Sequence, residues 1–465
     1  MRFLVAGLAL LVVALAAAPA SATTVRLSKE RSTQRGIGIV EGTAVVRAQR
    51  GERNRLRVTA SGRRDRALTI SDRAGVRAGR GCRQRSRQTV TCPTSNLETL
   101  LVKVSLGARA DTARLQGLFG DFRVDAGRGA DRVRSWSGGS LDGGPGNDVL
   151  RAVGGEFIGG LGDDVMIAGR GDSSFIAERS QDGSDIMRGG PRKRDSVDYS
   201  RRRAGVRVDL AGDRDDGAPG ERDQLVGIED LAGGRGDDVL VGSGGANSIV
   251  TGDGADVAIG GNGFDTLVTT FAGTDSGDPG DRFVGGRGGD FISGGSGPDT
   301  IVAGPGWDKV SGEAGDDRVD LRDGRRDDVK CGEGDETLTL DRFDYFTSRD
   351  GTCESVQREG PAGAMLSNPF SEKVGTEVGS SVAGAILGCP GDGPATCEGS
   401  ARLDVAGRPG QPVAFSIARD ETAGVRVPFE DDPGQTVRGD LVVETNLPGG
   451  GVSTLVYRDA LTIVR

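Results

Sequence analysis

Histidine is absent from this sequence, and aromatic residues make up only 4% of its 465 residues. Without histidine, the Ser-His and Cys-His nucleophile pairs and the common zinc-hydrolase sites are excluded. A hydrophobic content of 35% disfavours one large core. A chain of this length has room for about two to four domains. We therefore expect many small layers stacked into a solenoid.

Long apolar runs are also scarce. One extends from Phe3 to Ala18 after Arg2, and Ala20-Ser21-Ala22 follows it as a small-residue cleavage site. Residues 1–22 are therefore predicted to be a secretory signal peptide, with an uncleaved membrane anchor as the alternative. No later segment reaches about eighteen consecutive apolar residues. We expect a secreted, extracellular chain with no transmembrane segment after signal removal.

Net charge and cysteine content limit the classes of binding partner and the cellular compartment that we expect. The formal net charge of -9 argues against nucleic acid and anionic membranes as partners. The six cysteines are an even number, as expected for disulfides in an exported chain. Proximity predicts the pairs Cys82–Cys92, Cys331–Cys353 and Cys389–Cys397. A zinc cluster is the alternative, but neither CxxC nor histidine is present to support it.

Glycine is abundant, with 80 residues. From Gly233 to Val268 the chain repeats every nine residues as GGRGDDVLV, GSGGANSIV, TGDGADVAI and GGNGFDTLV. From Ser276 to Asp320 the units SGDPGDRFV, GGRGGDFIS, GGSGPDTIV, AGPGWDKVS and GEAGDDRVD follow. Position four is glycine in eight of the nine units, position six is aspartate in eight, and position eight is mostly large and apolar. These columns define a repeat with a fixed period.

Each unit is predicted to form a turn followed by a short strand whose eighth residue points inward. Two units then make a coil of eighteen residues, in which Asp238 stacks on Asp256 and Asn247 on Asp265. The same spacing stacks Asp281 on Asp299, Asp290 on Asp308 and Asp299 on Asp317. Carboxylates spaced by roughly 4.8 Å would repel by about 3 to 4 kcal/mol per pair at an effective dielectric near 20. A divalent cation with oxygen ligands would neutralise them, and Ca²⁺ tolerates such irregular cages better than Mg²⁺.

These units resemble the haemolysin-type calcium-binding repeats, the repeats-in-toxin (RTX) family. The resemblance implies a parallel β-roll with Ca²⁺ between successive turns, held by the aspartate at position six and by glycine-rich carbonyls. Less regular units such as AGRGADRVR and GGPGNDVLR begin at Ala126, and we expect them to bind calcium more weakly. The candidate metal ligands are Asp131, Asp148, Asp164, Asp238, Asp256, Asp265, Asp281, Asp290, Asp299, Asp308 and Asp317.

The predicted fold class is all-β: a parallel β-roll or β-helix solenoid with an N-terminal β-layer and a C-terminal antiparallel β-sandwich. Within residues 185–231 the repeat lapses into a polar loop, for which an extra ion site is the alternative. The predicted divisions are residues 23–125 as an N-terminal β region capping the solenoid, 126–335 as the calcium-binding β-roll, 336–360 as an end-cap and 361–465 as the sandwich.

The predicted function is non-enzymatic calcium binding coupled to folding, with a structural or surface and matrix role. The alternative is a β-solenoid polysaccharide-active enzyme, a lyase, epimerase or glycosidase, with calcium-stabilised repeats. Val239, Val241, Val257 and Ile259 are predicted to face outward and to form a candidate docking stripe for another segment or a second copy of the chain. The alternative is that they are ordinary β-branched residues on an exposed strand. Many relatives of the resembled family carry a C-terminal export signal, whereas this chain has the N-terminal one described above. We therefore do not assign the family's export route, or a toxin role, to this chain.

Overall fold

The structure is a computed structural model, and it places the chain in two units. It describes residues 22–34, 37–48, 51–61, 67–94, 97, 99–117, 121–191, 194–269, 279–341, 344–347, 355–358, 365–366, 375–376, 382–388, 396–405, 409, 411–418, 422–428, 437–446 and 452–463. One unit is Met1–Ser173 with Gly190–Lys193, and the other is Ser174–Gly189 with Arg194–Arg465. The predicted signal peptide lies outside the described residues except for Ala22. Among the described residues, no helix is long and apolar enough to cross a membrane.

The strands of the first unit are β1 (Thr23–Gln34), β2 (Ile37–Arg47), β3 (Arg55–Ser61), β4 (Ala67–Asp72), β5 (Val76–Ala78), β6 (Arg83–Ser86), β7 (Thr89–Pro93), β8 (Thr99–Ser105), β9 (Thr112–Gln116), β10 (Phe122–Asp125), β11 (Arg132–Ser135), β12 (Gly139–Asp142), β13 (Val149–Arg151), β14 (Gly155–Ile158) and β15 (Val165–Ile167). Strand β16 (Ser173–Ile176) begins at the division between the units.

Two sheets form in the first unit, and each changes from antiparallel to parallel pairing along the chain. One has the order β5-β1-β2-β8-β10-β12-β14, and the other β6-β7-β4-β3-β9-β11-β13-β15. Hairpins β1–β2 and β3–β4 are antiparallel, whereas β8 onward pairs in parallel. A disulfide joins Cys82 and Cys92 across the β6–β7 hairpin, as predicted. Parallel, solenoid-like pairing therefore begins near residue 99, inside the predicted N-terminal region.

The strands of the second unit are β17 (Ile186–Arg188), β18 (Asp195–Asp198), β19 (Arg207–Asp209), β20 (Gln224–Val226), β21 (Asp230–Ala232), β22 (Val239–Val241), β23 (Ser248–Val250), β24 (Val257–Asn262), β25 (Thr266–Val268), β26 (Arg282–Arg287), β27 (Phe291–Ser296), β28 (Thr300–Val302), β29 (Lys309–Ala314), β30 (Arg318–Asp320), β31 (Asp328–Lys330), β32 (Thr337–Leu340), β33 (Tyr345–Thr347) and β34 (Ser355–Arg358). They are followed by β35 (Met365–Leu366), β36 (Gly375–Thr376), β37 (Val382–Gly388), β38 (Thr396–Val405), β39 (Val413–Ala418), β40 (Thr422–Pro428), β41 (Val437–Asn446) and β42 (Val452–Ile463).

Alternate repeats of the second unit lie in the same parallel sheet. One sheet runs β19-β22-β24-β26-β28-β30-β32-β34, and the other contains β18-β21-β23-β25-β27-β29-β31-β33. Position eight points inward in both, so that Leu240, Ala258 and Phe283 align in one sheet and are fully buried. Burying each large apolar side chain contributes about 1.5–3 kcal/mol. Because one repeat cannot bury its own apolar residue, stacking supplies the core.

Parallel pairing continues past the predicted end of the repeats. Strand β32 pairs with β34 from Thr337 to Arg358, within the predicted end-cap. Beyond it, two four-stranded sheets form, β35-β37-β36 with β40 on β37, and β39-β38-β41-β42, both with antiparallel pairing. The all-β class, the parallel solenoid and the antiparallel C-terminal region are confirmed. Cys331 and Cys397 are also disulfide-bonded, while their predicted partners Cys353 and Cys389 lie outside the described residues.

Candidate metal centre

The position-six aspartates of alternate repeats form a hydrogen-bonded ladder along one side of the solenoid. We call the ladder formed by the first, third and following alternate repeats the odd ladder. In it the backbone N–H of each aspartate donates to the Oδ1 atom of the aspartate one coil later. The donor-to-acceptor distances are 2.7 Å for Asp238 to Asp256, 2.9 Å for Asp256 to Asp281, 2.7 Å for Asp281 to Asp299 and 2.8 Å for Asp299 to Asp317. The predicted stacking is therefore present in the structure.

The intervening repeats form an even ladder with the same geometry. The corresponding distances are 2.8 Å for Asn247 to Asp265, 2.8 Å for Asp265 to Asp290, 2.7 Å for Asp290 to Asp308 and 2.8 Å for Asp308 to Asp327. Both ladders cross the insertion after Val268, where the spacing lengthens from 18 to 25 residues. A longer coil thus keeps the register of the strands on either side.

Among the described residues of the first unit, a ladder lies on one side only. Asp111, Asp131, Asp148 and Asp164 are linked by N–H to Oδ1 distances of 2.5, 2.6 and 2.7 Å in chain order. On the opposite side, the equivalent positions two residues before the inward Val124, Leu141 and Phe157 are Phe122, Gly139 and Gly155. A Cβ atom on Gly139 would lie 2.6 Å from the Phe122 ring. An aromatic ring therefore takes the space that a carboxylate fills elsewhere.

The second carboxylate oxygen is the chemically important one. Because Oδ1 accepts the N–H of the preceding coil, Oδ2 is left facing the turn. For nine aspartates this Oδ2 atom is buried and has no hydrogen-bond partner in the described part of the chain: Asp111, Asp131, Asp148, Asp256, Asp265, Asp290, Asp308, Asp317 and Asp327. Buried polar oxygens without partners are rare, and each costs free energy. Because these oxygen atoms recur at equivalent positions of successive coils, the series indicates a site for a bound ligand.

Glycine at position one borders these oxygens. A Cβ atom on Gly285 would lie 2.6 Å from Asp290 Oδ2 and 2.4 Å from the carbonyl oxygen of Ala303 in the next coil. On Gly260 it would lie 2.5 Å from both Asp265 Oδ2 and the Gly285 carbonyl oxygen. Carboxylate and carbonyl oxygens therefore meet beside Gly260 and Gly285, where an added Cβ atom would be too close to both.

Burial and mutual repulsion hold protons on these carboxyls in the absence of a cation. The pKa of Asp256 and of Asp148 is raised to about 8, mainly by burial and also by neighbouring carboxylates, against the lowering effect of a backbone N–H. The pKa of Asp308 is raised to about 7 and that of Asp327 to about 9, again mainly by burial. Ionised at neutral pH, such a ladder requires a compensating charge.

The donor set fits Ca²⁺. Its ligands are oxygens only, from short carboxylates and backbone carbonyls, which is what a hard cation prefers. The position-six aspartates would supply one carboxylate oxygen each, and the glycine turns would supply the carbonyls. The described turns offer no imidazole, and the disulfide-bonded cysteines offer no thiolate, for a softer metal.

All eleven predicted ligands occupy equivalent places. Each is 4% exposed or less, and each precedes an inward residue by two positions. They fall into the first-unit, odd and even ladders and do not converge on a single centre. Their role as metal ligands remains a prediction. At Ser173, where the aspartate is replaced, the hydroxyl donates to the Gly171 carbonyl at 3.2 Å.

The ladders extend beyond the aspartates predicted from the sequence. Asp111 links Asn54 to Asp131 in the first-unit ladder, and Asp327 continues the even ladder toward Asp344. The turn before Asp111 reads LGARAD, with Arg109 in a left-handed conformation at φ 82° where other turns have glycine. The signal that could have found both is an aspartate two residues before an inward apolar residue.

The polar loop within residues 185–231 also gathers carboxylates. Oxygen atoms of Asp209, Asp215 and Asp216 lie within 4.8 Å of one another. Asp216 Oδ1 accepts the Asp209 N–H at 2.7 Å, so part of this cluster is a hydrogen-bonded turn. An extra ion site at this loop stays a prediction.

Comparison with known proteins agrees with this geometry. The family model described as the RTX calcium-binding nonapeptide repeat (4 copies) matches residues 232–267 and 284–319. These two segments hold most of the odd and even ladders and flank the insertion. No curated protein matches the chain.

Proposed function

From the premise that this chain is an RTX-repeat protein and binds Ca²⁺ through those repeats, we propose that calcium binding drives the folding of its solenoid. We further propose that the folded solenoid is an exported structural element, acting at a cell surface or in an extracellular matrix. On this proposal the chain's own residues do no chemistry. They assemble a solenoid lined with buried carboxylates when calcium is abundant.

The observation that carries this proposal is a series of buried Oδ2 atoms that have no hydrogen-bond partner among the described residues of the second unit. They belong to Asp256 and Asp317 of the odd ladder and to Asp265, Asp290, Asp308 and Asp327 of the even ladder. Ionised neighbours one coil apart would repel by about 3 to 4 kcal/mol per pair at an effective dielectric near 20. A bound divalent ion supplies the opposing charge and joins adjacent turns. Since a ligand that binds only the folded state stabilises it, calcium and folding are thermodynamically linked.

Export is supported by the cysteines. Cys82 and Cys92 form a disulfide, and Cys331 and Cys397 are disulfide-bonded too. Disulfides persist in oxidising compartments and are rare in the cytosol. The proposed localisation would be contradicted if cell fractionation recovered the full-length chain in the cytosol with reduced cysteines.

The direct test is circular dichroism of the purified protein during a calcium titration, reversed with a chelator. We expect strand signal to appear cooperatively with calcium and to disappear on chelation. Magnesium at the same concentration serves as the control and should be much less effective, because it demands stricter octahedral geometry. A chelated protein that kept the full signal and the same melting temperature would refute the proposal.

A surface role requires a contact surface, and the candidate is the stripe Val239, Val241, Val257 and Ile259. These side chains lie on the outer face of strands β22 and β24, in register and half-buried. We propose that they dock a second copy of this chain. Light scattering with calcium should show a larger species for the wild type, and Val241→Lys with Ile259→Lys should abolish it. An unchanged mass in the double variant would rule out this docking.

A non-catalytic role is supported by the engagement of the ladder carboxylates. Each Oδ1 already accepts a backbone N–H, and each Oδ2 faces a glycine turn. The measurement is a panel of acidic and neutral polysaccharides incubated with calcium-loaded protein. We expect no new reducing ends and no unsaturated products, and sustained turnover on any of them would overturn the proposal.

A further inference from the structure

One coil of the second unit has the ladder arrangement but departs from the nine-residue repeat. Strands β17 and β20 pair in parallel, and the residues two before their inward positions are Asp185 and Asp223. The N–H of Asp185 donates to Asp223 Oδ1 at 2.8 Å, as in the other ladders. The preceding turns contribute two more carboxylates, Asp182 and Glu221, which are 6% and 8% exposed. This coil therefore concentrates as much buried negative charge as any calcium turn.

A side-chain cation lies against these carboxylates. Arg202, only 2% exposed, places its Nη2 atom 2.5 Å from Asp182 Oδ1 and 3.0 Å from Glu221 Oε1. Although burial lowers the pKa of this guanidinium, the two carboxylates raise it above its ordinary value, so the group stays charged. Glu221 accepts two further hydrogen bonds. The Asp182 N–H donates to its Oε1 atom at 2.9 Å, and the Ala218 N–H donates to its Oε2 atom at 2.8 Å.

The ladder oxygen of this coil also has a partner. Tyr199, fully buried, donates its hydroxyl to Asp223 Oδ2 at 3.0 Å. In the odd ladder the equivalent Oδ2 atoms of Asp238 and Asp281 accept the Gly234 N–H and the Thr251 hydroxyl, whereas that of Asp256 has no hydrogen-bond partner among the described residues. The Arg202 guanidinium carbon lies 6.0 Å from the centre of the Tyr199 ring, so the two side chains form one group. We call Asp182, Tyr199, Arg202, Glu221 and Asp223 the arginine layer.

We propose that in the arginine layer Arg202, with the hydroxyl of Tyr199, does what calcium does in the repeats, so that this layer folds without metal. The contrast with the repeats rests on the proposed calcium-coupled folding. A guanidinium suits the task because it is planar, always charged and weakly hydrated. A buried carboxylate pair that has its own counter-charge needs no ion from solution. Removing that counter-charge leaves the pair buried and uncompensated, which is strongly destabilising.

The arginine layer also contacts the first strong repeat. The Arg202 carbonyl accepts the N–H of Arg235 at 3.1 Å, and the Val206 N–H donates to Asp238 Oδ1 at 2.7 Å. The N–H of Val239 donates to the Val206 carbonyl at 2.8 Å. A pre-folded layer at this edge presents the first repeat with a template of hydrogen-bond partners. Folding of the repeats on calcium addition would then proceed from Gly233 onward.

The test is hydrogen exchange of the full chain in chelator, followed peptide by peptide. In the wild type we expect residues 195–232 to stay protected while residues 233–320 exchange freely. Arg202→Gln should reduce protection of residues 195–232 by at least about 100-fold in chelator, since it leaves a buried carboxylate pair without its cation. Arg202→Lys, which keeps the charge, should retain most of the protection.

Tyr199→Phe is the matched control, because it removes one hydrogen bond and no charge, and its loss should be no more than about tenfold. Residues 195–232 freely exchanging in the chelated wild type would overturn the proposal, as would equal protection in Arg202→Gln. If instead residues 233–320 stayed protected in chelator, the calcium-coupled folding itself would fail, whatever Arg202 does. Should Arg202→Gln not fold even with calcium, the wild-type pattern in chelator alone decides.

Discussion

The two units differ in how many carboxylates each coil must accommodate. In the first unit one side carries the ladder from Asp111 to Asp164, and the other side is filled by Phe122 and glycines. In the second unit both sides carry ladders, and both are deeply buried. One coil of the second unit thus holds two carboxylates where a coil of the first holds one. Because parallel strand pairing occurs in both units, the difference predicts that calcium dependence follows the number of carboxylates per coil.

The largest expected effect is that of removing calcium. In chelator, residues 233–320 should lose hydrogen-exchange protection, while residues 99–167 should retain a substantial part of theirs. The reason is that repulsion of about 3 to 4 kcal/mol per adjacent pair acts on both sides of the second unit but on one side of the first. Hydrogen exchange with and without chelator measures this, and equal losses in both units would break the comparison.

Acidification should partly replace calcium. The folded-state pKa values of Asp327, Asp256 and Asp308, about 9, 8 and 7, lie above the unfolded value of 3.8. The folded chain therefore binds protons more tightly, and its calcium-free stability rises as pH falls from about 9 toward 4. Below 3.8 both states are protonated and no further gain follows.

Thermal melts of chelated protein across this pH range provide the measurement. With excess calcium the trend should reverse, because protons compete with the metal for the same oxygens. A chelated protein whose melting temperature fell on mild acidification would contradict the assignment of these buried carboxylates as the source of calcium dependence.

Position within a ladder should also matter. Asp299 has a ladder aspartate on each side, Asp281 and Asp317, and would serve two successive turns. Asp299→Ala should therefore weaken calcium affinity by roughly tenfold or more, the loss of at least one charge-assisted interaction. Asp164→Ala, in the one-sided ladder, should weaken it less.

Asp253→Ala is the control for loss of surface charge, since that side chain is exposed and only distantly paired with Arg235 at 3.8 Å. Calorimetric calcium titrations of the three variants separate these cases. Equal losses for Asp299→Ala and Asp164→Ala would show that the two units bind calcium alike.

The regular parts of both fold and site could be predicted from the sequence, because a short period ties local and long-range structure together. Once Asp238 and Asp256 occupy the same column eighteen residues apart, their stacking follows. Pairing of Asp256 with Asp281 could not be predicted, because an insertion changes the spacing to 25 residues and the period says nothing about it. Asp111 was missed because Arg109 adopts a conformation usually reserved for glycine.

The arginine layer illustrates what a periodic pattern cannot reveal. Arg202 and Tyr199 lie in a segment that looks like a charged loop, and their partners Asp182 and Glu221 are 20 and 19 residues away in opposite directions. No spacing rule links these residues, since the contact depends on how the irregular coil folds back. Buried ion pairs outside a repeat are therefore found only when the fold is known.

The smallest expected effect is that of adding a methyl group at a position-one glycine beside the proposed site, which leaves the charge unchanged. Gly285→Ala introduces a Cβ atom 2.4 Å from the Ala303 carbonyl oxygen and 2.6 Å from Asp290 Oδ2, both inside the proposed site. Overpacking of this kind costs about 1–3 kcal/mol, and here we expect it as weaker calcium affinity and a lower melting temperature in calcium. Gly244→Ala is the matched control, because its Cβ would have nothing nearer than 4.0 Å. If Gly285→Ala bound calcium as tightly as Gly244→Ala, the oxygens beside position one would not be ligands, and the cation would have to lie elsewhere in the turn.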